Sequence, residues 1–315
     1  MKYAAKRVLL LAVTMLIVSL LAFVAFDLIS GDAASAMLGL EATEEELELL
    51  REELGLNRPL LVRYADWISG FVTGDLGISY SYNLPVWELV APKILVTLCL
   101  SLMSFLLIVA VSIPVGLVSV RSTGAAAGAQ TALNQLCMAV PPFFTGIILS
   151  WVFGITLKWF TPGDFPGLTQ DFGGAMRHMF FAAVAIAIPR IAMTVRMLRS
   201  TIVSEMEKSY VRTAISRGND RGAVLRRHVL KNALVPVVTF LAQTMAEIVA
   251  GSIVVEQVFG IAGLGRLLVA SIANRDYPVV QTLVVLLALW VVLSGTIADL
   301  INLRLDPRLK LGGDA

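Results

Sequence analysis

Six long apolar stretches constrain the fold of this chain more than any other feature of its sequence. They are Val8–Leu28, Ile94–Val118, Thr131–Leu157, Met179–Val195, Val235–Val255 and Val279–Ile301. A helix needs about 20 mostly apolar residues to cross the hydrocarbon core of a bilayer. Because backbone N–H and C=O groups find no water there, each stretch is predicted to be a helix. The sequence therefore predicts an all-α membrane protein with six transmembrane helices.

Composition excludes the alternative of one large water-soluble core. Of the 315 residues, 57% are hydrophobic and only 15% are charged, whereas soluble domains carry about 25% charged residues. The two cysteines, Cys99 and Cys137, lie inside apolar stretches, and their spacing matches neither a metal motif nor a disulfide framework. No metal site is predicted in this chain.

The apolar stretches divide the chain into three parts. Residues 1–29 form the first transmembrane helix, 30–93 an extracytoplasmic segment, and 94–315 a five-helix core with a cytoplasmic loop at about 196–234. In the extracytoplasmic segment, Thr43 and Glu46 have the spacing of a capping box, which predicts a short amphipathic helix that ends near Gly55. Three proline positions inside the stretches are predicted to kink their helices or to line a cavity: Pro114, Pro141–Pro142 and Pro189.

Lysine and arginine are distributed unevenly between the segments that separate the stretches. With the N-terminus inside, sixteen lie in inner segments and eight in outer segments. Because positive charge accumulates in cytoplasmic loops, we expect a multi-pass protein of the plasma (inner) membrane with both termini in the cytoplasm. Ala34–Ala36 resembles a signal-peptidase site, but Asp27 and Asp32 separate it from the apolar run, so we expect the first helix to be retained.

One inner segment, 209–236, has the features of an ordered helical hairpin. Gly218 suits the left-handed conformation at a helix C-terminus, and Asn219 or Asp220 can cap a second helix. Ala214 and Gly218 are four residues apart, so on one helix they would share a face of small residues. A short, basic, well-capped hairpin is typical of a docking element for a cytoplasmic partner. A basic loop without a partner is the simpler alternative.

This segment resembles the EAA loop of binding-protein-dependent ABC importer permeases, in the branch that transports peptides and nickel. The matching residues are Tyr210–Ala214, Gly218, Arg227–His228, Asn232–Ala233 and Pro236. Further matches follow in order along the chain: Gly55–Leu60, Gly74–Ser79, Val254–Phe259, Gly263–Arg266, Arg275–Pro278 and Asp306–Arg308. The chain departs from the pattern at Ser30–Ala33, at Ile261–Ala262, and at Arg212, which replaces the glutamate that names the loop.

The resemblance implies the type I-like ABC importer permease architecture and a transport role without enzymatic activity in this chain. It implies three kinds of partner besides the lipid bilayer: a second homologous permease subunit that completes a heterodimer, two cytoplasmic ATPase subunits with bound ATP and Mg²⁺, and an extracytoplasmic solute-binding protein. Nucleic acid is not among them. The chain has no Gly-Lys dipeptide and therefore no P-loop or cofactor site for ATP. The residues implied to couple to the ATPases are Tyr210, Arg212, Thr213, Ala214, Gly218, Arg221 and His228.

Two charged residues lie well inside predicted transmembrane helices, away from their last turns. Glu247 is roughly 16 Å into the fifth stretch, near the bilayer centre, and Arg190 lies in the fourth. Charged residues at that depth are costly and mark candidate functional sites. Two interpretations stay open: a structural ion pair of Arg190 with Glu247, or a carboxylate that lines the pathway and favours a cationic substrate.

The alternative function is an ion-gradient-driven secondary transporter. It needs coupling residues in the helices, and only Arg190 and Glu247 qualify; inverted repeats, which are frequent in such transporters, are not evident. An intramembrane enzyme is a third hypothesis, but the stretches contain no suitable nucleophile, base or metal constellation. The sequence does not distinguish a peptide from nickel or another solute.

We expect Ser30–Lys93 to face outward and residue 312 to face the cytoplasm, because of the lysine and arginine distribution. In a chain whose two native cysteines are replaced, a membrane-impermeant thiol reagent applied to intact cells should label Thr73→Cys but not Gly312→Cys. Labelling of position 312 from the outside would contradict the six-helix topology.

Overall fold

The computed structural model describes residues 2–29, 34, 38, 42–53 and 55–305, and this part of the chain is almost entirely helical. The helices are α1 Lys2–Ile29, α2 Glu44–Glu53, α3 Leu60–Thr73, α4 Val86–Ser119, α5 Gly124–Ala139, α6 Pro142–Leu149, α7 Phe172–Met206, α8 Ser209–Ser216, α9 Arg221–Val224, α10 Leu230–Phe259, α11 Leu264–Ala273 and α12 Tyr277–Leu305. Two π-helical segments, Ser150–Thr156 and Leu225–Val229, follow α6 and α9. The predicted all-α class is confirmed.

Within the described residues, four helices are long and apolar enough to cross a membrane. They are Val86–Ser119, Phe172–Met206, the continuous helix Arg221–Phe259 and Tyr277–Asn302. A fifth candidate is the bent pair Gly124–Ala139 and Pro142–Thr156, and the apolar part of α1 is the shorter Leu9–Ala25. The count of six transmembrane helices is not confirmed and stays a prediction.

The bend between α5 and α6 lies at the predicted proline pair. The two helices meet at 96°, because Pro141 lacks the N–H that would continue the helix. Val140, the residue before it, is extended at φ −81° and ψ 122°, as steric conflict with a following proline requires. The chain is therefore broken at Pro141, whereas α4 and α7 continue past Pro114 and Pro189.

The contacts divide the chain into two compact units. The first contains Met1–Leu98 and Ala262–Val292, and the second contains Cys99–Ile261 and Leu293–Ala315. In the first unit, α3 packs against α1 through aromatic rings. The Phe23 ring centroid lies 5.6 Å from that of Tyr64 and 5.8 Å from that of Trp67. The Tyr64 hydroxyl also lies 2.8 Å from Ser19 Oγ, so the contact has both an apolar and a polar part.

The predicted amphipathic helix is confirmed as α2, with the predicted capping box. The Thr43 backbone N–H donates to Glu46 Oε2 at 2.9 Å, and the Thr43 hydroxyl donates to the same oxygen. These bonds hold the pKa of the Glu46 carboxyl below its usual value. The next helix, α3, was not predicted from the sequence, since its N-cap is Pro59 and no side chain caps it.

A buried carboxylate ties the loop before α4 to the turn before α12, within the first unit. Asp276 is fully buried. It accepts hydrogen bonds from the Ser79 hydroxyl at 2.5 Å, from the Tyr80 N–H at 3.0 Å and from the Ser81 N–H at 3.4 Å. A buried charge needs such partners to offset its desolvation. Burial, with the nearby Asp276 charge, also raises the pKa of Tyr80.

The second unit is built around α7, which packs against α5, α6 and α10. Its buried face is rich in alanine, and small residues allow helices in a membrane to approach closely. Gly116 shows how close this approach is, since a Cβ at that position would lie 2.6 Å from Leu198 Cδ2. At the other end of α7, His178 Nε2 lies 2.8 Å from the Phe259 carbonyl oxygen, which connects α7 to the end of α10.

We expect Asp276→Asn to destabilise the chain, because the amide can accept at only one of the two oxygen positions that now receive three hydrogen bonds. Hydrogen bonds to charged groups contribute about 2 kcal/mol each, so the apparent melting temperature of the detergent-solubilised chain should fall by several degrees. The control is Asp75→Asn in the same loop, an exposed carboxylate that accepts from the Gly77 N–H. Equal melting temperatures for the two variants would show that the buried tie does not stabilise the fold.

Candidate functional site

The Ser209–Leu230 segment forms the predicted helical hairpin. Helix α8 ends at Ser216 with Arg217 as its C-cap, and Gly218 follows at φ +84°, a conformation that favours glycine. The Asp220 carboxylate then caps α9 by accepting from the N–H groups of Gly222 and Ala223 at 2.8 and 3.3 Å. The hairpin is therefore an ordered element, closed by a glycine turn and an N-cap.

The hairpin is held in the second unit by apolar side chains on its inner face. Val211, Val224 and Val229 are at most 1% exposed, and Leu225 is 8% exposed. These four residues alternate with exposed basic residues, so the hairpin has one buried and one solvent-facing side. Burial of side chains of this size stabilises by roughly 1.5–3 kcal/mol each, which makes the hairpin a firmly attached part of the unit.

Tyr210 connects the hairpin to the helices on both sides of it. Its hydroxyl donates to Glu205 Oε2 at 2.8 Å, and the Asn232 side-chain amide donates to the Tyr210 oxygen at 3.3 Å. Glu205 also forms an ion pair with Lys208. Partial burial, together with the bond to the Glu205 carboxylate, raises the pKa of Tyr210. Of the predicted site residues, Tyr210 is therefore the one that fixes the position of the hairpin relative to α7 and α10.

The other predicted residues divide into two groups. Ala214 is half-buried, and the side chains that face solvent are Arg212, Thr213, Arg221 and His228. The prediction that Ala214 and Gly218 share a helical face is wrong, because α8 ends two residues before Gly218. Sequence reasoning also missed Glu205, although an acidic residue five positions before Tyr210 is a signal that the sequence contains. It missed the π-helical segment Leu225–Val229 as well, and for that segment the sequence has no signal.

Arg190 and Glu247 are brought together by α7 and α10. The Arg190 guanidinium donates to Glu247 Oε2 and forms an ion pair with it. The pair is not sealed in the interior, since the side chains of Arg190 and Glu247 are 26% and 51% exposed. The ion pair between Arg190 and Glu247 that was predicted as one of two interpretations is therefore present. About half of the Glu247 side chain nevertheless remains exposed on the surface of α10.

Glu247 belongs to a continuous exposed face of α10. The exposed residues along this helix follow helical spacing: Gln243, Glu247, Ala250, Val254 and Gln257. Three of the five are polar, and at neighbouring Gly251 an added Cβ would meet no atom within 4 Å. Polar side chains at this depth are costly in contact with lipid and normally face a water-filled cavity or another helix.

Two other exposed helix faces in the second unit are apolar, in contrast to the α10 face. On α6 and the π-helical segment that follows it, the exposed large side chains consist of Phe143, Phe144, Ile147, Ile148, Trp151 and Ile155. On the later part of α4 they consist of Leu102, Leu106, Val111, Val115 and Val118. Such residues suit contact with acyl chains. Unlike these two faces, the exposed face of α10 has a chemistry that suits a polar solute or an aqueous path.

A bundle of long apolar helices, an anchored basic hairpin and a polar helix face together define a membrane component of a transport system. The chain belongs to the family of binding-protein-dependent transport system inner membrane components, which matches residues 108–311. The N-terminal region of these membrane components matches residues 1–101. The chain is thus a multi-pass inner-membrane permease of the ABC importer class, as the resemblance predicted, and the secondary transporter is set aside.

Relatives of this chain carry the names of peptide permeases. It is 33% identical to the probable peptide ABC transporter permease protein y4tP of Sinorhizobium fredii, over 98% of this chain and 99% of that protein. It is 33% identical to the oligopeptide transport system permease protein AppB of Bacillus subtilis, with the same coverage. A putative peptide transport system permease protein of Brucella abortus is 34% identical over 97% of this chain and 98% of the relative.

We expect Glu247→Gln to lower the thermal stability of the purified chain, because it leaves the partly buried Arg190 guanidinium without its counter-charge. The coupling energy between the two sites should be roughly 1 kcal/mol, since both side chains are partly exposed. Thermal unfolding of Arg190→Met, Glu247→Gln and the double variant measures it. Restored stability in the double variant is the expected result, and strictly additive losses would show that the pair contributes nothing.

Proposed function

We propose that this chain is the permease subunit through which an ATP-driven importer moves small peptides across the inner membrane. The observation that carries the proposal is the exposed polar face of α10, centred on Glu247. A lipid-facing helix would not carry Gln243, Glu247 and Gln257 on one side. The face fits one wall of a pathway, whose remaining wall a second homologous permease subunit would complete as a heterodimer.

The charges beside this face suit a peptide better than a bare nickel ion. Arg190 and Glu247 present one positive and one negative group side by side. A short peptide carries an ammonium group and a carboxylate, so each end finds an opposite charge there. A divalent cation would be attracted by Glu247 but repelled by Arg190 at close range. The names of the related peptide permeases support the same choice.

The Ser209–Leu230 hairpin is the proposed docking element for one of the two cytoplasmic ATPase subunits. Its buried valines fix it in the second unit, while Arg212, Thr213 and Arg221 stand exposed on the other side. The ATPases would bind ATP and Mg²⁺, and an extracytoplasmic binding protein would deliver the peptide. The lysine and arginine distribution supports the hairpin and both termini on the cytoplasmic side.

The proposed mechanism is alternating access without chemistry in this chain. Closure of the ATPases around ATP would displace the hairpin. The second arm of the hairpin is the start of one continuous helix, Arg221–Phe259. Displacement of the hairpin would therefore also move the α10 face that carries Glu247. The pathway would open alternately to the binding protein and to the cytoplasm, as expected for a two-state element that partner subunits bias.

The test is ATP-dependent uptake by the complete transporter in proteoliposomes, with the binding protein outside. We expect radiolabelled trialanine to accumulate only with ATP, and Ni²⁺ not to accumulate. Thr213→Trp, which places a bulky ring on the exposed side of α8, should reduce uptake to the level without ATP and weaken co-purification of the ATPases. Thr161→Trp, an exposed threonine in the loop before α7, is the matched control and should transport normally.

Each other outcome has a defined meaning. Accumulation of Ni²⁺ instead of trialanine would replace the proposed substrate. Uptake without ATP would overturn the importer mechanism itself. Normal uptake by Thr213→Trp would show that the exposed side of the hairpin is not a close contact, while the substrate assignment would stand.

A further inference from the structure

A second polar feature of the second unit lies away from the hairpin and the α10 face. It is a cavity of about 350 Å³ between the end of α4, the middle of α5 and the later part of α7. Eight of its ten lining residues have polar side chains, and two of these are the arginines Arg196 and Arg199. None of the described residues that line it is acidic, so the cavity carries a net positive charge.

The two arginines are available to a ligand. They lie three residues apart on α7, so both point toward the same side of the helix. In the part of the chain that the structure describes, neither forms an ion pair. Arg190, about two turns earlier on the same helix, has its carboxylate partner. The cavity therefore holds two guanidinium groups whose charge no protein carboxylate balances.

Further hydrogen-bond donors in the cavity are also unoccupied. The Thr131 hydroxyl donates a hydrogen bond to the Ala127 carbonyl oxygen, and the Asn134 amide donates one to the Ala192 carbonyl oxygen. The side chains of Gln130, Gln135 and Ser200 have no hydrogen-bond partner among the described residues. With the arginines they form a set of donors around one space, and a phosphate offers the matching set of acceptor oxygens.

The depth of the cavity places it at the membrane surface. Arg196 and Arg199 follow Phe172, the first residue of α7, by 24 and 27 residues, which is roughly 36–40 Å along a helix. The hydrocarbon core is only about 30 Å thick. Ser119, which also lines the cavity, is the last residue of α4. Phosphate groups of phospholipids lie at this level.

We propose that this cavity binds the phosphate group of an anionic phospholipid, on the side that the charge distribution assigns to the cytoplasm. Arg196 and Arg199 hold the phosphate, and the amides of Gln130 and Gln135 contact the headgroup. Val118 and Leu133 are more than 60% exposed, and Val203 is 45% exposed; all three are in or next to the lining segments and provide apolar contacts for acyl chains. A soluble phosphate would gain nothing from these contacts.

The test measures binding of fluorescent phosphatidylglycerol to the purified full chain in neutral detergent. Each arginine near a membrane surface contributes about a fivefold factor in affinity for an anionic lipid. Arg196→Gln with Arg199→Gln should therefore weaken binding by at least about tenfold. The control removes two exposed arginines elsewhere, Arg177→Gln with Arg275→Gln, and should leave the affinity within about twofold. Equal affinity of the first variant and the unmutated chain would overturn the proposal.

Two further measurements separate the possible ligands. Phosphatidylcholine should bind much more weakly than phosphatidylglycerol, and equal binding would identify only nonspecific lipid. Millimolar inorganic phosphate should not displace the lipid; complete displacement would identify the ligand as soluble phosphate and refute the lipid assignment. If the double variant fails to fold, a photoactivatable phosphatidylglycerol on the unmutated chain must crosslink within 130–135 or 195–203, and crosslinks only elsewhere would refute the site.

Discussion

The satisfaction of backbone hydrogen bonds without water is the constraint on which the rest of this structure depends. In lipid each N–H and C=O must find a partner in its own helix, so α4, α7, α10 and α12 run without interruption for 29 to 35 residues. The chain breaks where Pro141 removes a donor. Side chains are subject to the same rule, and for this reason the polar face of α10 stands out against the apolar faces of its neighbours.

The hairpin and the α10 face are parts of one mechanical element. Four buried apolar residues and the Tyr210 hydroxyl fix the hairpin in the second unit, and the helix then runs without a break from Arg221 to Phe259. Packed interiors transmit displacement because they have little free volume. In the proposed mechanism, a displacement of α8 would therefore be transmitted to Glu247. The π-helical segment Leu225–Val229 lies between the two along the chain, and such segments are frequent at functional sites.

The sequence predicted those features that depend on local chemistry. Apolar length located the long helices, Thr43 and Glu46 predicted α2 with its cap, and Gly218 with Asp220 predicted the hairpin turn. Features that depend on tertiary packing were not readable. Helix α3 lacks a side-chain cap, the size of the bend at Pro141 follows from packing against α7, and the exposure of Glu247 depends on which face of α10 is covered. Arg190 and Glu247 were recognised as candidates because charge is rare at that depth, but their contact required the structure.

The tie between Ser79 and Asp276 limits the number of times the intervening chain can cross the bilayer. Two groups in hydrogen-bond contact lie on one side of a membrane, so the 197 positions that separate them must contain an even number of crossings. Helices α4, α7 and α10 are long and apolar enough to provide three, and the ten residues of α11 are too short to provide another. Parity therefore favours the broken pair α5 and α6 as a true crossing rather than a re-entrant loop.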